Sequence, residues 1–308
     1  MALSSRADAA ERTKRGARTP LTPINKDAVL VSRQPLDGPY LLLTVRHAEV
    51  ARAARAGQFV MIKAGTSAEP PLRRPFSILT VDPAAETFRL FLRTIGTGTR
   101  ALAALAPGDL AQCLGPLGKP FTAPPPGREA LLIAGGYGIA PFHLFCEELL
   151  RAGGRARVFY GGRTAADLQV REPFAAMGVP LVPTTDDGSL GHHGRVTEAV
   201  EQYLDAKTGP VALYACGPDP MLHAVARLAA RRSLPAQVSL DPWMGCGVGT
   251  CLGCVVWTQS AAEPRPHYRC ACTEGPVFDA REVVWPGEDG SRARAEARAA
   301  SAAPTEAR

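Results

Sequence analysis

The chain has 308 residues, 46% of them apolar and 21% charged, which excludes a mostly disordered chain, a coiled coil and a collagen-like fibre. At roughly 150 residues per domain, this length predicts about two domains with room for a small third. The formal net charge is +6, and residues 1–26 supply +4 of it through Arg6, Arg12, Lys14, Arg15, Arg18 and Lys26 against Asp8 and Glu11. No aromatic side chain is interleaved with these charges, so a solvated basic tail is expected rather than a nucleic-acid or membrane contact. No apolar run approaches the roughly 18 residues of a spanning helix. The N-terminus lacks the apolar stretch of a secretory signal, so a cytoplasmic location is expected.

From residue 39 to about 118 the sequence reads as short strands between turns. The strands are YLLLTVRHAEV (40–50), GQFVMIKA (57–64), RPFSILTV (74–81) and TFRLFLRTI (87–95), with a helical piece at 99–105. Short strands with little helical period between them predict an antiparallel barrel or sandwich. Within it, Arg73-Arg74-Pro75-Phe76-Ser77 puts two cations, a flat ring and a hydroxyl together. Arginine forks match phosphate, a ring packs on a flavin and a hydroxyl bonds a flavin nitrogen. The same five residues fit an edge strand with surface arginines equally well. Gly96-Thr97-Gly98-Thr99, ahead of the helical piece, is a second candidate phosphate cradle.

After APPPG (123–127) the pattern changes. Apolar runs at 128–136, 155–162, 179–187, 209–217 and 235–241 alternate with helical stretches at 141–151, 196–204 and 219–231, which predicts βαβ units and a doubly wound parallel sheet. GGYGIAP follows the first run, as Gly136-x-Gly138-x-x-Pro141. Glycines at a strand-to-helix turn admit a pyrophosphate to the backbone and the helix N-terminus, and proline suits the start of the helix. Gly135, Gly161 and Cys216, with Gly217 and Pro218 after it, all sit at strand carboxyl ends, where ligands of open α/β sheets lie. Arg163 fits a 2′-phosphate contact or a solvated side chain. Asp186 and Asp187 read as turn residues, and His143, His192 and His193 as structural or surface groups. No side-chain general acid or base is expected. Cys113 and Cys146 read as packing residues, and Cys216 either packs or stands beside a nicotinamide.

The remaining five cysteines, Cys246, Cys251, Cys254, Cys270 and Cys272, crowd into one segment. In a reducing compartment such a cluster argues for metal or redox chemistry. The C-x4-C-x2-C spacing with a distant fourth Cys is the plant-type 2Fe–2S pattern. Gly245, Gly247, Gly249 and Gly253 let the backbone wrap closely and aim N–H groups at the sulfurs. A four-cysteine zinc site is the rival, but such sites more often carry two C-x2-C pairs. Cys270 and Cys272 point to one side of an extended segment, and spacing does not choose between them.

RRPFSI, GTGT, GPLG (115–118), GGYGIAP, TDDGSLGHHG, CGP, CGVGTCLGC and CTEGPVF occur in that order. Together they resemble the electron-transfer subunits of the type B dihydroorotate dehydrogenases, within the ferredoxin–NADP reductase superfamily, over about residues 27–280. The resemblance implies a multi-domain β + α/β protein. A flavin-binding antiparallel barrel would span 27–126, a NAD-binding α/β domain 127–238 and a 2Fe–2S lobe 239–286, with flexible tails at 1–26 and 287–308. It implies FAD at Arg74, Pro75, Phe76, Ser77, Gly98 and Thr99. It implies NAD at Gly135, Gly136, Gly138, Pro141, Cys216, Gly217 and Pro218, and the cluster at Cys246, Cys251, Cys254 and Cys272, with Cys270 spare. Electrons would leave dihydroorotate at FMN in a partner catalytic subunit and cross the cluster and FAD to NAD+, in pyrimidine biosynthesis. The alternatives are an NAD(P)H-linked reductase subunit for a ferredoxin, hydrogenase or oxygenase, and a zinc-stabilised, non-redox binding module.

Overall fold

The computed structural model describes residues 24–65 and 71–285. The expected tail at 287–308 and most of that at 1–26 lie outside them. The elements run β1 (Ile24–Pro35), β2 (Tyr40–Arg46), α1 (Ala48–Ala53), β3 (Phe59–Ala64), β4 (Arg74–Asp82), β5 (Thr87–Arg93), α2 (Thr97–Ala103) and β6 (Leu110–Leu117). There follow β7 (Glu129–Gly135), α3 (Ala140–Arg151), β8 (Arg155–Gly162), α4 (Glu172–Ala176), β9 (Leu181–Thr185), β10 (His192–His193), α5 (Val196–Ala206), β11 (Val211–Cys216), α6 (Asp219–Arg231) and β12 (Ala236–Ser239). The cysteine-rich segment adds β13 (Val255–Thr258), β14 (His267–Cys270) and β15 (Val277–Asp279).

Strands β1 to β6 form a closed barrel in the order β1-β2-β5-β4-β3-β6, all neighbours antiparallel. The sequence pattern shows four of these strands and misses β1 and β6, the pair that closes the barrel. Among the β1 side chains described, from Asp27 on, Ala28 and Leu30 are buried and an exposed SRQP run follows, so the apolar alternation there is short. Pairing on both edges holds it instead. Because Ile24 pairs with Gly115, the expected tail at 1–26 gives up its last three residues to the barrel. The first predicted strand also overruns. His47 ends β2 by accepting the Val50 amide on Nδ1 at 3.3 Å, and HAEV turns into the start of α1.

The second domain is a seven-stranded sheet ordered β10-β9-β8-β7-β11-β12-β15, parallel except for β15. Alternate residues of β7 face opposite layers. Leu132 packs with Phe142 and Phe145 of α3, while Leu131 and Ile133 pack with Val200 of α5 and Val225 of α6. The cysteine-rich segment, expected as a lobe at 239–286, is not separate from this sheet. Its strand β15 pairs antiparallel with β12, and Phe278, Ala280 and Trp285 join the sheet's core. No helix among the described residues is long and apolar enough to cross a membrane.

Phe121, on the connection between barrel and sheet, fixes the two to each other. Its ring stacks on Phe142 and Phe145 at 5.6 and 5.0 Å and meets Tyr214 edge-on at 5.8 Å. Its amide donates to the Ala56 carbonyl at 2.8 Å, and the Tyr214 hydroxyl donates to the Thr122 carbonyl at 2.9 Å. Glu148 of α3 accepts from the Ala56 amide at 3.0 Å and from Arg55 Nε at 3.2 Å. Truncating a buried aromatic of this kind costs about 3–5 kcal/mol. Phe121→Ala is therefore expected to lower the midpoint of urea unfolding sharply, and a midpoint within error of wild type would remove Phe121 from this role.

Candidate functional site

Arg74, Pro75, Phe76 and Ser77 open β4 and are all half-buried. Across the ladder Ser77 faces Phe59, Phe76 faces Val60 and Pro75 faces Met61 of β3. Arg74 lies over Gly98 in the first turn of α2, where an added Cβ would stand 3.0 Å from Arg74 Nε. Arg74 Nη1 donates to the Leu72 carbonyl at 2.9 Å, and among the described residues the guanidinium forms no ion pair, which leaves it able to meet an anion. Thr99 Oγ1 accepts the Ile95 and Gly96 amides at 2.9 and 3.0 Å and donates to the Gly96 carbonyl at 3.0 Å. The hydroxyl expected at a phosphate thus shapes the loop that presents Gly98.

The GGYGIAP turn, expected to hold the nucleotide, lies where the sheet changes direction. Chain order runs outward from β7 through β8 to β9 on one side, and from β11 to β12 on the other, so the carboxyl ends of β7 and β11 flank the switch point. Gly135 ends β7, a 3-10 turn covers Gly136–Ile139, and Pro141 is the second residue of α3. Cys216 ends β11, and Gly217 and Pro218 lead into α6. The two turns touch. A Cβ on Gly138 would stand 2.2 Å from the Cys216 carbonyl oxygen, and one on Gly135 2.7 Å from Pro218 Cδ. Only glycine allows this approach at Gly138.

Burial pushes the Cys216 thiol up to about 12, with the Asp241 charge adding to it, so the sulfur is a neutral group at ordinary pH. Asp241 faces solvent, yet the protein crowded round it pushes its carboxyl up to about 6, and repulsion from Asp219 contributes. Tyr137 stands between the two glycines of the turn and is raised by burial and then by Asp241. Tyr137 and Asp241 were not singled out as site residues in the sequence, because a tyrosine in a turn and an acid after a strand carry no spacing signal. Arg163 follows β8 with its side chain 70% exposed and its Nε 3.5 Å from Asp167, which also accepts the Tyr40 hydroxyl of the barrel at 2.8 Å. Asp187 accepts the Ser189 amide at 2.9 Å within its turn.

The cysteine segment wraps around its own sulfurs. The Val248 and Cys251 amides both donate to Cys246 Sγ at 3.4 Å, and the Gly249 amide donates to Cys272 Sγ at 3.2 Å. Burial opposes ionisation of Cys246, but these backbone donors outweigh it and hold the thiol well below its usual range. Burial and the neighbouring Cys254 raise Cys272. Cys246 lies beside Cys251, and Cys254 beside Cys272. No trio of His, Cys, Asp or Glu among the described residues is grouped to grip one metal ion. Two sulfur pairs under amide donors suit two bridged irons, whose negative charge such donors offset. Gly247, at φ +77°, seats the loop on the barrel: a Cβ there would stand 2.6 Å from Met61 Cγ of β3 and 3.1 Å from Leu117 Cδ1 of β6. Since Met61 pairs with Pro75, the loop sits one strand from the RPFS motif. Met61 and Leu117 are platform residues; Met61 reads in the sequence only as a strand apolar and Leu117 only as part of GPLG.

A family model for the iron–sulfur cluster binding domain of dihydroorotate dehydrogenase B matches residues 241–284, and one for the oxidoreductase NAD-binding domain matches residues 132–227. The dihydroorotate dehydrogenase B (NAD(+)) electron transfer subunit of Desulforamulus reducens is 38% identical over 237 residues, 77% of this chain and 89% of the relative. That of Bacillus caldolyticus is 40% identical over 245 residues, 79% of this chain and 91% of the relative. The chain belongs to this family of electron transfer subunits. It is an NAD-linked flavin and iron–sulfur oxidoreductase subunit, and as such works with a partner catalytic subunit. A solved NADH-dependent reduced ferredoxin-NADP oxidoreductase superimposes with a TM-score of 0.74 at 29% identity, over 83% of this chain and 89% of the other. The ferredoxin NADP+ reductase of Neisseria gonorrhoeae shares the fold, with a TM-score of 0.58 at 18% identity over 67% of this chain and 91% of the other.

Forcing a methyl group into the contact between Gly138 and Cys216 costs about 1–3 kcal/mol by overpacking. Gly138→Ala is expected to lower thermal stability and to raise the KM for NADH, while FAD content stays at the wild-type level. An unchanged KM would show that this turn does not hold the nucleotide.

Proposed function

We propose that this chain carries electrons, in the cytoplasm, from a partner subunit that oxidises dihydroorotate at FMN, through a 2Fe–2S cluster and FAD, to NAD+ in pyrimidine biosynthesis. The observation that carries this reading is the seating of Gly247 on Met61 and Leu117, which puts the amide-lined cysteine loop beside the barrel strand bearing Arg74-Pro75-Phe76-Ser77. A flavin supplies exchange of a hydride with a nicotinamide on one side and of single electrons with a cluster on the other.

The chain's own residues hold these groups in place. Arg74 binds a flavin phosphate, while Pro75, Phe76 and Ser77 line the ring and Gly98 leaves room beside the guanidinium. Gly135, Gly136, Gly138 and Pro141 present bare backbone to the pyrophosphate of NAD. Cys216, Gly217 and Pro218 bound the nicotinamide with neutral, compact groups, which keep water from the hydride path. Cys246, Cys251, Cys254 and Cys272 ligate the cluster, and the donors to Cys246 and Cys272 stabilise its negative charge.

The docking face for the catalytic subunit is the rim of the cysteine loop. Cys251 is exposed there, and Trp243, Leu252 and Val248 are 81%, 60% and 41% exposed. Large exposed aromatics beside a redox centre are the anchors that a protein partner desolvates. Trp243→Ser is expected to weaken the complex by about 2 kcal/mol, roughly thirtyfold in Kd. NADH oxidation by an artificial acceptor should be unchanged. Binding at wild-type strength would move the interface elsewhere.

The cofactors are tested on anaerobically purified protein by visible absorption and by iron, sulfide and FAD analysis. Cys251→Ala is expected to lose iron and sulfide with FAD retained, and Cys270→Ala to retain the cluster. A colourless wild-type chain holding zinc would establish the non-redox module instead. Co-purification with a ferredoxin, hydrogenase or oxygenase component, and with no dihydroorotate-oxidising subunit, would establish the other reductase.

A further inference from the structure

The segment carries one thiol more than a cluster needs. Strand pairing fixes its place: Cys270 of β14 faces Val255 of β13, and the Ala271 amide donates to the Cys254 carbonyl at 3.1 Å. The half-buried Cys270 sulfur therefore lies beside Cys254, as the Cys272 sulfur does. Both thiols hang from one tight turn. The Glu274 amide donates to the Cys270 carbonyl at 2.8 Å, and Glu274 Oε2 accepts the Cys270 amide at 3.0 Å. Moving from one sulfur to the other needs side-chain rotation and a small shift of this turn, not a rearranged fold. What separates the two is the donor: Gly249 points its amide at Cys272, and among the described residues no backbone amide is aimed at the Cys270 sulfur.

We infer that Cys270 is a reserve ligand of the cluster site, taking the iron position of Cys272 when that sulfur is lost or displaced. The inference rests on the iron–sulfur reading of this loop. On exchange the Cys270 thiol gives its proton to solvent as its sulfur binds, and the released Cys272 sulfur takes one up, so no electrons change hands. Glu274, which accepts the Cys270 amide, places a carboxylate at the Cys270 end of the turn, whereas the Gly249 amide points at the Cys272 sulfur, and this difference in donors sets Cys270 second.

Wild type, Cys270→Ala, Cys272→Ala and the double variant are purified anaerobically as full chains with FAD. Iron and sulfide per flavin, visible absorption and the low-temperature EPR of the reduced protein are compared. Cys272→Ala is expected to keep most of its iron with a shifted spectrum, and the double variant to lose it. A Cys272→Ala chain that keeps FAD and wild-type melting but holds no iron overturns the inference. An iron-free wild type overturns the cluster reading beneath it. Should Cys272→Ala fail to fold, the decay of the visible band under excess chelator decides between wild type and Cys270→Ala. A half-life at least several-fold shorter in Cys270→Ala supports the reserve ligand, and equal half-lives overturn it.

Discussion

The cysteine-rich segment is short of apolar material and cannot fold on a core of its own, so its position depends on what it borrows. It borrows twice. Strand β15 adds to the edge of the parallel sheet beside β12, and Gly275 and Pro276 press against Gly118 of the barrel, where an added Cβ would stand 2.5 Å from Pro276 Cδ. Cys254 and Cys272 are then buried in the same core as Phe59, Met61, Leu114 and Leu117 of the barrel. The segment acts as a wedge between two rigid bodies, and its sulfurs inherit their rigidity. Electron transfer falls steeply with distance, so a redox loop held this way keeps a constant separation from the barrel without any large interface of its own.

A second constraint is the contact between the two turns at the switch point. The sheet topology brings Gly138 and Cys216 to one place, and the missing Cβ of Gly138 lets the backbones close on each other. The same closure leaves a buried, un-ionised thiol at the carboxyl end of β11. Phe121 and Glu148 fix the barrel against α3, so the two turns and the β4 motif hold their relation through the packing already needed for stability. Structure and site are supported by the same residues here.

How much of this was legible follows from where the signal lies. Helix α6 is read from the sequence to the residue, because its apolar period is strong and Pro218 precedes it. The parallel strands other than the two-residue β10 are read as apolar runs, since the central ones are buried on both faces. Strand β1 escapes notice because its apolar alternation is short, β6 because Gly115-Pro116 interrupts its buried apolar residues, and β15 because its three residues are too few to show a period. His47 hides a helix inside an apparent strand because capping is a side-chain event that periodicity does not register. The cysteines are legible through spacing, but the choice between Cys270 and Cys272 is not. In the structure the two differ by one amide, that of Gly249, which comes from a loop more than twenty residues earlier in the chain and points at Cys272.

The loop also has two unlike ends. Cys254 and Cys272 face the barrel core and are buried, whereas Cys251 lies in the exposed rim with Trp243, Val248 and Leu252. Amide donors reach both halves, through Val248 and Cys251 to Cys246 and through Gly249 to Cys272. Backbone donors therefore reach both ends of the site while solvent reaches one of them. A relay needs this asymmetry, with a dry side fixed against the barrel strands and a wet, apolar-rimmed side that a partner can cover. Because Gly247 sits between the two halves and is pinned to Met61 and Leu117, neither end can move toward its neighbour without moving the other.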